Sequence, residues 1–216
     1  LHAFWNALLK RGEHLEARPL RGCEAAERAS RSGSGNARDG RRLPRTVQNR
    51  GVLLLRPVHA HRQVEVALRR GQNGIFENYS EIKRELELAG HVFRSKTDTE
   101  VVAHLIEQRL KKGVRFEDAL RETLNKLEGS FSVAVMSVED PERLFFAQKE
   151  NTLTVGVDKD AMYCSSDIPT FLPMTKDVVT VESGEVAILD ANRFEIRRFA
   201  DWSLVSRKPK KLDWVP

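Results

Sequence analysis

From residue 79 onward the apolar positions recur at spacings that define one element after another, and upstream of residue 73 they do not. Tyr79, Ile82, Leu86 and Ala89 fall on one face of a helix over 79–89, with Gly90 as its stop. A short strand is expected at 91–93. Thr97-Asp98-Thr99-Glu100 reads as a capping box, and the helix it opens turns Val101, Leu105, Ile106 and Leu110 inward. Phe116, Ala119, Leu120, Leu124 and Leu127 make a further helix, closed by Gly129. Strands are then expected at 131–138, 144–148, 153–157, 161–164, 178–181, 186–189 and 194–198. Turns such as Glu139-Asp140-Pro141 and Ser183-Gly184 part them, and one short helix around 169–172 interrupts the run. Helices followed by strands with hairpin-length links predict an α+β layered sandwich with mainly antiparallel sheets.

The first third reads differently. Phe4, Leu8, Leu9 and Leu15 suggest a helix within 2–28, whose apolar face is lost among Arg18, Pro19, Arg21 and Gly22. Residues 30–50, with a Ser-Gly-Ser-Gly run, have linker composition, and short strands are expected at 52–55 and 64–68. Charge follows the same division. Residues 1–72 hold 15 of the 36 basic side chains against 6 acids, and 14 of those bases are arginine; residues 73–216 hold 21 bases against 25 acids. The overall +5 is therefore a sum of two unlike parts. The basic part has no aromatic interleaving, so no nucleic-acid partner is expected.

At 216 residues the chain suffices for one sizeable domain with an extension. No window approaches the roughly 18 apolar residues of a spanning helix, so no membrane association is expected. No secretory signal is read at the start, and only Cys23 and Cys164 are present; a cytoplasmic setting follows.

Three stretches carry a resemblance: Asn73-Gly74-Ile75-Phe76-Glu77-Asn78-Tyr79, then Thr97-Asp98-Thr99-Glu100 with Val-Val-Ala-His-Leu after it, then Ser165-Ser166-Asp167-Ile168-Pro169. From about residue 73 to the end the chain resembles the glutaminase (class II glutamine amidotransferase) domain of the glutamine–fructose-6-phosphate aminotransferases, the aminosugar branch of that family. The resemblance implies an N-terminal-nucleophile hydrolase fold, a four-layer α-β-β-α sandwich, here incomplete at its N-terminal end. It also implies hydrolysis of L-glutamine to glutamate and ammonia, with no metal or organic cofactor. The ammonia would serve isomerase domains that bind fructose 6-phosphate and are absent from this chain. A homodimer is left open.

Amide hydrolysis passes through a tetrahedral oxyanion that needs fixed donors. By resemblance these are the Asn73 side-chain amide and the Gly74 backbone N–H, although Asn-Gly alone is also the best two-residue hairpin turn. Asp98 would accept the α-ammonium of glutamine, a charge-assisted contact, though an acid there also suits a helix N-terminus. Glu100 is assigned to the cap. His104 is read as a satisfied structural histidine, Cys164 as a small buried hydrophobe, and Arg207-Lys208-Pro209-Lys210-Lys211 as a solvated linker.

The departures lie in residues 1–72. The family's nucleophile is an N-terminal cysteine whose own amine is the base. This chain starts at Leu1, and Cys23 lacks a Cys-Gly-Ile context, so no nucleophile is identified and no metal is expected. Arg-Gly-Tyr-Asp-Ser and Arg-Trp-Ala-Thr-His-Gly segments are missing, and Gln72 stands where the family has histidine. Two readings stay open: the glutaminase itself, or a catalytically dead remnant or glutamine-binding module. The domain division expected is 1–72 atypical, 73–206 glutaminase, 207–216 linker. The arginine excess and the position of the break suggest a hypothesis in which residues 1–72 are the same gene read out of frame. Translating all three DNA frames upstream of Asn73 decides it, because absence of both a Cys-Gly-Ile start and an Arg-Trp-Ala-Thr-His-Gly segment from every frame ends the idea.

Overall fold

The computed structural model describes residues 76–94, 97–137, 140–159, 161–166, 168, 172–190 and 192–213, with the backbone of two strands, 7–10 and 64–68. The helices are α1 (Tyr79–Leu88), α2 (Glu100–Leu110) and α3 (Phe116–Lys126). The strands are β1 (Ala7–Lys10), β2 (Val64–Leu68), β3 (Phe131–Ser137), β4 (Asp140–Lys149), β5 (Leu153–Val157), β6 (Ala161–Ser165), β7 (Asp177–Val181), β8 (Glu185–Leu189), β9 (Phe194–Arg198) and β10 (Lys210–Lys211). They form two antiparallel sheets, ordered β1-β6-β5-β7-β10 and β2-β3-β4-β8-β9.

The period-2 pattern of the strands explains the layering. In the second sheet Val133, Val135, Phe145, Ala147, Val186 and Ile188 point to the helices, where Ile82, Leu86, Ile106, Leu120 and Leu124 meet them. The alternate residues Ala134, Leu144, Phe146, Ala187 and Leu189 face the first sheet and pack on Leu153, Val155, Met162, Cys164, Val179 and Val181. Register agrees with this assignment, because Val135 pairs with Phe145 and Phe145 with Ile188, all on the helix side. Ile82 and Leu86 are both 1% exposed, and each contributes about 1.5–3 kcal/mol by burial. The described residues thus supply three of the four expected layers, helices on sheet on sheet.

Helix boundaries follow local chemistry. Gly90 takes φ +87°, His91 N–H donates to the Leu86 carbonyl and Gly90 N–H to that of Glu87, which is a Schellman closure of α1. Gly113 at φ +79° closes α2 in the same way, with Val114 N–H donating to the Arg109 carbonyl. In α3 the first-turn Glu117 accepts from Arg143 of β4 at 2.7 Å and from the Trp202 indole at 3.1 Å. Burial alone would raise its carboxyl; the bonds from Arg143 and Trp202, with the charges of Arg143 and Arg197, outweigh burial and hold it below the usual value.

Four expectations are corrected. Residues 7–10 form a strand instead of part of a helix, paired with β6 from Ala7 opposite Cys164 to Lys10 opposite Ala161. Three successive apolar residues, Ala7-Leu8-Leu9, suit a strand laid on an open sheet edge, whose unpaired backbone groups outweigh a weak helical periodicity. Asp140 and Pro141 begin β4 instead of forming a turn, and Asp140 pairs with Ser137 across a bulge. Residues 91–93 form no strand: His91 N–H closes α1 on the Leu86 carbonyl, its ring meets His104 of α2, and Arg94 N–H goes to Glu100. Arg207 is held in the fold instead of solvated, and Lys210–Lys211 pair with β7. The other expected strands and helices from 76 onward stand, apart from 169–172, which falls largely outside the described residues, as do the linker at 30–50 and the strand at 52–55.

Candidate functional site

The two expected oxyanion donors, Asn73 and Gly74, lie outside the described residues. The chain is fixed on both sides of them. Upstream, β2 pairs along its whole length with β3, from Val64 opposite Ser137 to Leu68 opposite Val133. Downstream, Phe76 is 3% exposed with its ring 5.4 Å from that of Phe131. Glu77 N–H donates to the Glu128 carbonyl at 3.1 Å. Asn78 then clamps the end of α3, donating to the Lys126 carbonyl at 2.8 Å and accepting from Glu128 N–H at 3.2 Å. Asn78 thus has a positioning role that the sequence alone did not assign, since its partners lie about fifty positions away.

Asp98 is half-buried in the turn that leads into α2. Its carbonyl accepts from Val101 N–H at 3.3 Å, and its carboxylate stands at the N-terminal end of the helix, where the dipole favours negative charge. Thr99 occupies the N-cap with helical φ and ψ and makes no side-chain cap bond. The helix starts at Glu100, so Glu100 is its first residue and not the third that a capping box requires. Its carboxylate is instead buried, with Oε1 accepting from Arg94 N–H at 2.7 Å and from His104 Nε2 at 3.3 Å. That pair of bonds ties the loop after α1 to the first turn of α2.

His104 has more company than a lone structural histidine. Its Nδ1 lies 3.0 Å from His91 Nδ1, with the rings edge-on at 4.9 Å, and the Phe93 ring lies 4.5 Å from it. Glu107 Oε2 is 3.9 Å from Nδ1 of each histidine, and Glu107 Oε1 takes Lys111 at 3.2 Å. Glu107 and His104 stand three apart on one helical face. His91, which completes the group, comes from a loop, so no spacing rule applied to the sequence finds it.

Cys164 is fully buried between the sheets, and burial pushes its thiol far up. It is inert as a nucleophile. Cys23 lies outside the described residues. No described helix is long and apolar enough to cross a membrane.

Solved structures place this architecture in a class. The chain is similar to the glutamine phosphoribosylpyrophosphate amidotransferase of B. subtilis, with TM-score 0.54 and 27% identity over 63% of this chain and 29% of that one. A structure described as the allosteric regulatory enzyme of purine biosynthesis matches with TM-score 0.55 and 26% identity, over 65% and 30%. A class-II glutamine aminotransferase domain protein from Silicibacter pomeroyi shares the fold alone, with TM-score 0.50 and 14% identity across 91% of this chain. The fold is the α+β, antiparallel sandwich of the N-terminal-nucleophile amidotransferases. The family profile described as "Glutamine amidotransferase domain" matches residues 57–173, and the chain belongs to that family. The match begins upstream of the first recognisable motif at Asn73, and takes in β2.

Among curated proteins, the glutamine–fructose-6-phosphate aminotransferase (isomerizing) of Thermococcus kodakarensis is 43% identical over 143 residues, 66% of this chain and 24% of that protein. The enzyme of the same name from Thermosynechococcus vestitus is 37% identical over 161 residues, 73% and 26%. The chain spans about a quarter of the length of these relatives.

Proposed function

We propose that this chain is the glutamine-hydrolysing part of a glutamine–fructose-6-phosphate aminotransferase, releasing ammonia from L-glutamine for the amination of fructose 6-phosphate by isomerase domains. The observation that carries it is the 37–43% identity to enzymes of that name, beside a family match over residues 57–173 that takes in Asn73, Gly74 and Asp98. In this reading the Asn73 amide and Gly74 N–H hold the oxyanion. Asp98 accepts the α-ammonium of glutamine. Cys164 is buried and Cys23 lacks the family's Cys-Gly-Ile context, so no nucleophile is assigned within this chain. Residues 73–206 are the glutaminase unit, the preceding 1–72 an atypical segment, and the reaction proceeds in the cytoplasm.

A second reading, a glutamine-binding module without turnover, is favoured by the Arg21-Gly22-Cys23-Glu24 context, which is not the family's Cys-Gly-Ile. Glutamate release from glutamine by the purified chain, beside Cys23→Ala, separates the two. Release abolished by the substitution establishes the enzyme; no release with retained glutamine binding leaves the module. In either case Asp98→Asn weakens glutamine binding, measured by calorimetry, by roughly 10- to 100-fold, the worth of a charge-assisted hydrogen bond. Unchanged affinity would remove Asp98 from the site.

A further inference from the structure

We propose that His91, His104 and Glu107 form a binding site for a borderline divalent cation of the zinc class, a site that staples the loop after α1 to α2. The three ligand atoms make a triangle. His91 Nδ1 and His104 Nδ1 are 3.0 Å apart, and Glu107 Oε2 is 3.9 Å from each. A point about 2.1 Å from all three lies at its centre, and that is the length of a zinc bond to imidazole nitrogen or carboxylate oxygen. Two imidazoles and one carboxylate select zinc, cobalt or nickel over magnesium, which prefers oxygen and water.

The surroundings hold the ligands in the required state. His104 Nε2 sits 3.3 Å from Glu100 Oε1, which only accepts, so the ring hydrogen is assigned to Nε2 and the Nδ1 lone pair is turned to His91. Carboxylate, histidine and metal in that order is the arrangement that orients metal-bound imidazoles. Without a cation, His91 Nδ1–H donates to His104 Nδ1. When the cation enters, that hydrogen moves to His91 Nε2, and both rings bind as neutral imidazoles with no net proton change. His91 and Glu107 side chains are 8% and 12% exposed, which leaves the cation a way in, whereas His104 and Glu100 are closed to solvent. Lys111 engages the other oxygen of Glu107 and leaves Oε2 to the histidines. The face so stapled belongs to the first two turns of α2, whose leading turn carries Asp98.

The test is calorimetric titration of the full, tag-free chain with zinc chloride, with magnesium chloride as control, and cobalt(II) absorption in parallel. One equivalent of zinc is expected to bind, with a raised melting temperature and ligand-field bands for cobalt; magnesium does neither. His91→Ala is expected to weaken zinc by more than roughly 100-fold, beyond the 10- to 100-fold that losing an outer-shell partner causes. Glu107→Gln, which keeps the side-chain shape, is expected to weaken it as well and carries the test should His91→Ala not fold. Cys23→Ala and the paired His59→Ala, His61→Ala change leave zinc binding intact. No zinc binding, unchanged binding in Glu107→Gln or in folded His91→Ala, or binding abolished by the Cys23 or His59/His61 changes overturns the proposal.

Discussion

Asn73→Ala is expected to lower the rate of glutamate release from glutamine by roughly 100- to 1000-fold while leaving KM for glutamine within a few-fold, the signature of a donor used only as charge develops on the amide oxygen. Ground-state glutamine carries its carbonyl in a weaker hydrogen bond than the oxyanion does, so the lost donor raises the barrier more than it weakens binding. The competing account gives Asn73 no chemistry: Asn-Gly would be a hairpin turn, and the substitution would cost some stability and little rate. A melting curve beside the kinetics distinguishes them. A variant that melts earlier and turns over normally sinks the oxyanion role. The described flanks, β2 upstream and Phe76 and Asn78 downstream, suit either account, so the kinetics decide between them.

What the sequence showed and what it hid divide along contact range. Ile82 and Leu86, or Val133 and Val135, announce their buried faces because the partners that matter for periodicity are a few residues away. Gly90 announces the end of α1 because left-handed backbone demands glycine. Strand β1 stayed hidden since its reason for being extended is the free edge of β6, some 150 positions on. For the candidate site the sequence offers words, Asn73-Gly74 and Asp98, and no geometry. Glu100 looks like a capping residue until the structure places it first in the helix with His104 and Arg94 N–H on its carboxylate. His104 looks solitary until His91 comes across from the loop at 91–93. In each case the missing signal is a polar partner supplied by tertiary folding, which leaves no period in the chain.

Arg207→Ala is expected to cost about 3 kcal/mol of folding stability, the low end of what breaking a buried ion pair costs, because a fifth of the arginine side chain still meets solvent. Its guanidinium donates to both oxygens of Glu185, at 2.7 and 3.1 Å, and to the Thr180 carbonyl at 2.6 Å. Thr180 belongs to β7 of one sheet and Glu185 to β8 of the other, so the arginine bridges the layers across the Ser183-Gly184 turn. The hydrogen bonds it donates to Glu185 raise the affinity of the guanidinium for its proton despite burial, and the Glu185 carboxylate also accepts from Glu182 N–H at 2.7 Å. Glu185 is 4% exposed with the arginine in place, so removing Arg207 takes the partner from a carboxylate seated at a buried position. Burying an unpaired charge is the larger part of the loss, so Glu185→Gln added to Arg207→Ala should return some of it, and urea unfolding of the single and double variants measures both steps. Equal stability of Arg207→Ala and the parent within about 0.5 kcal/mol would mean that water replaces the arginine without cost. The same bonds bear on where the glutaminase unit ends. A chain cut after residue 206 loses this bridge, the β10 pairing at Lys210–Lys211 and the Leu212 contact on the outer face of the first sheet. Its melting temperature should therefore fall at least as far as that of Arg207→Ala; a fall of that size would move the working boundary of the unit past residue 206, and an unchanged melting temperature would keep it there.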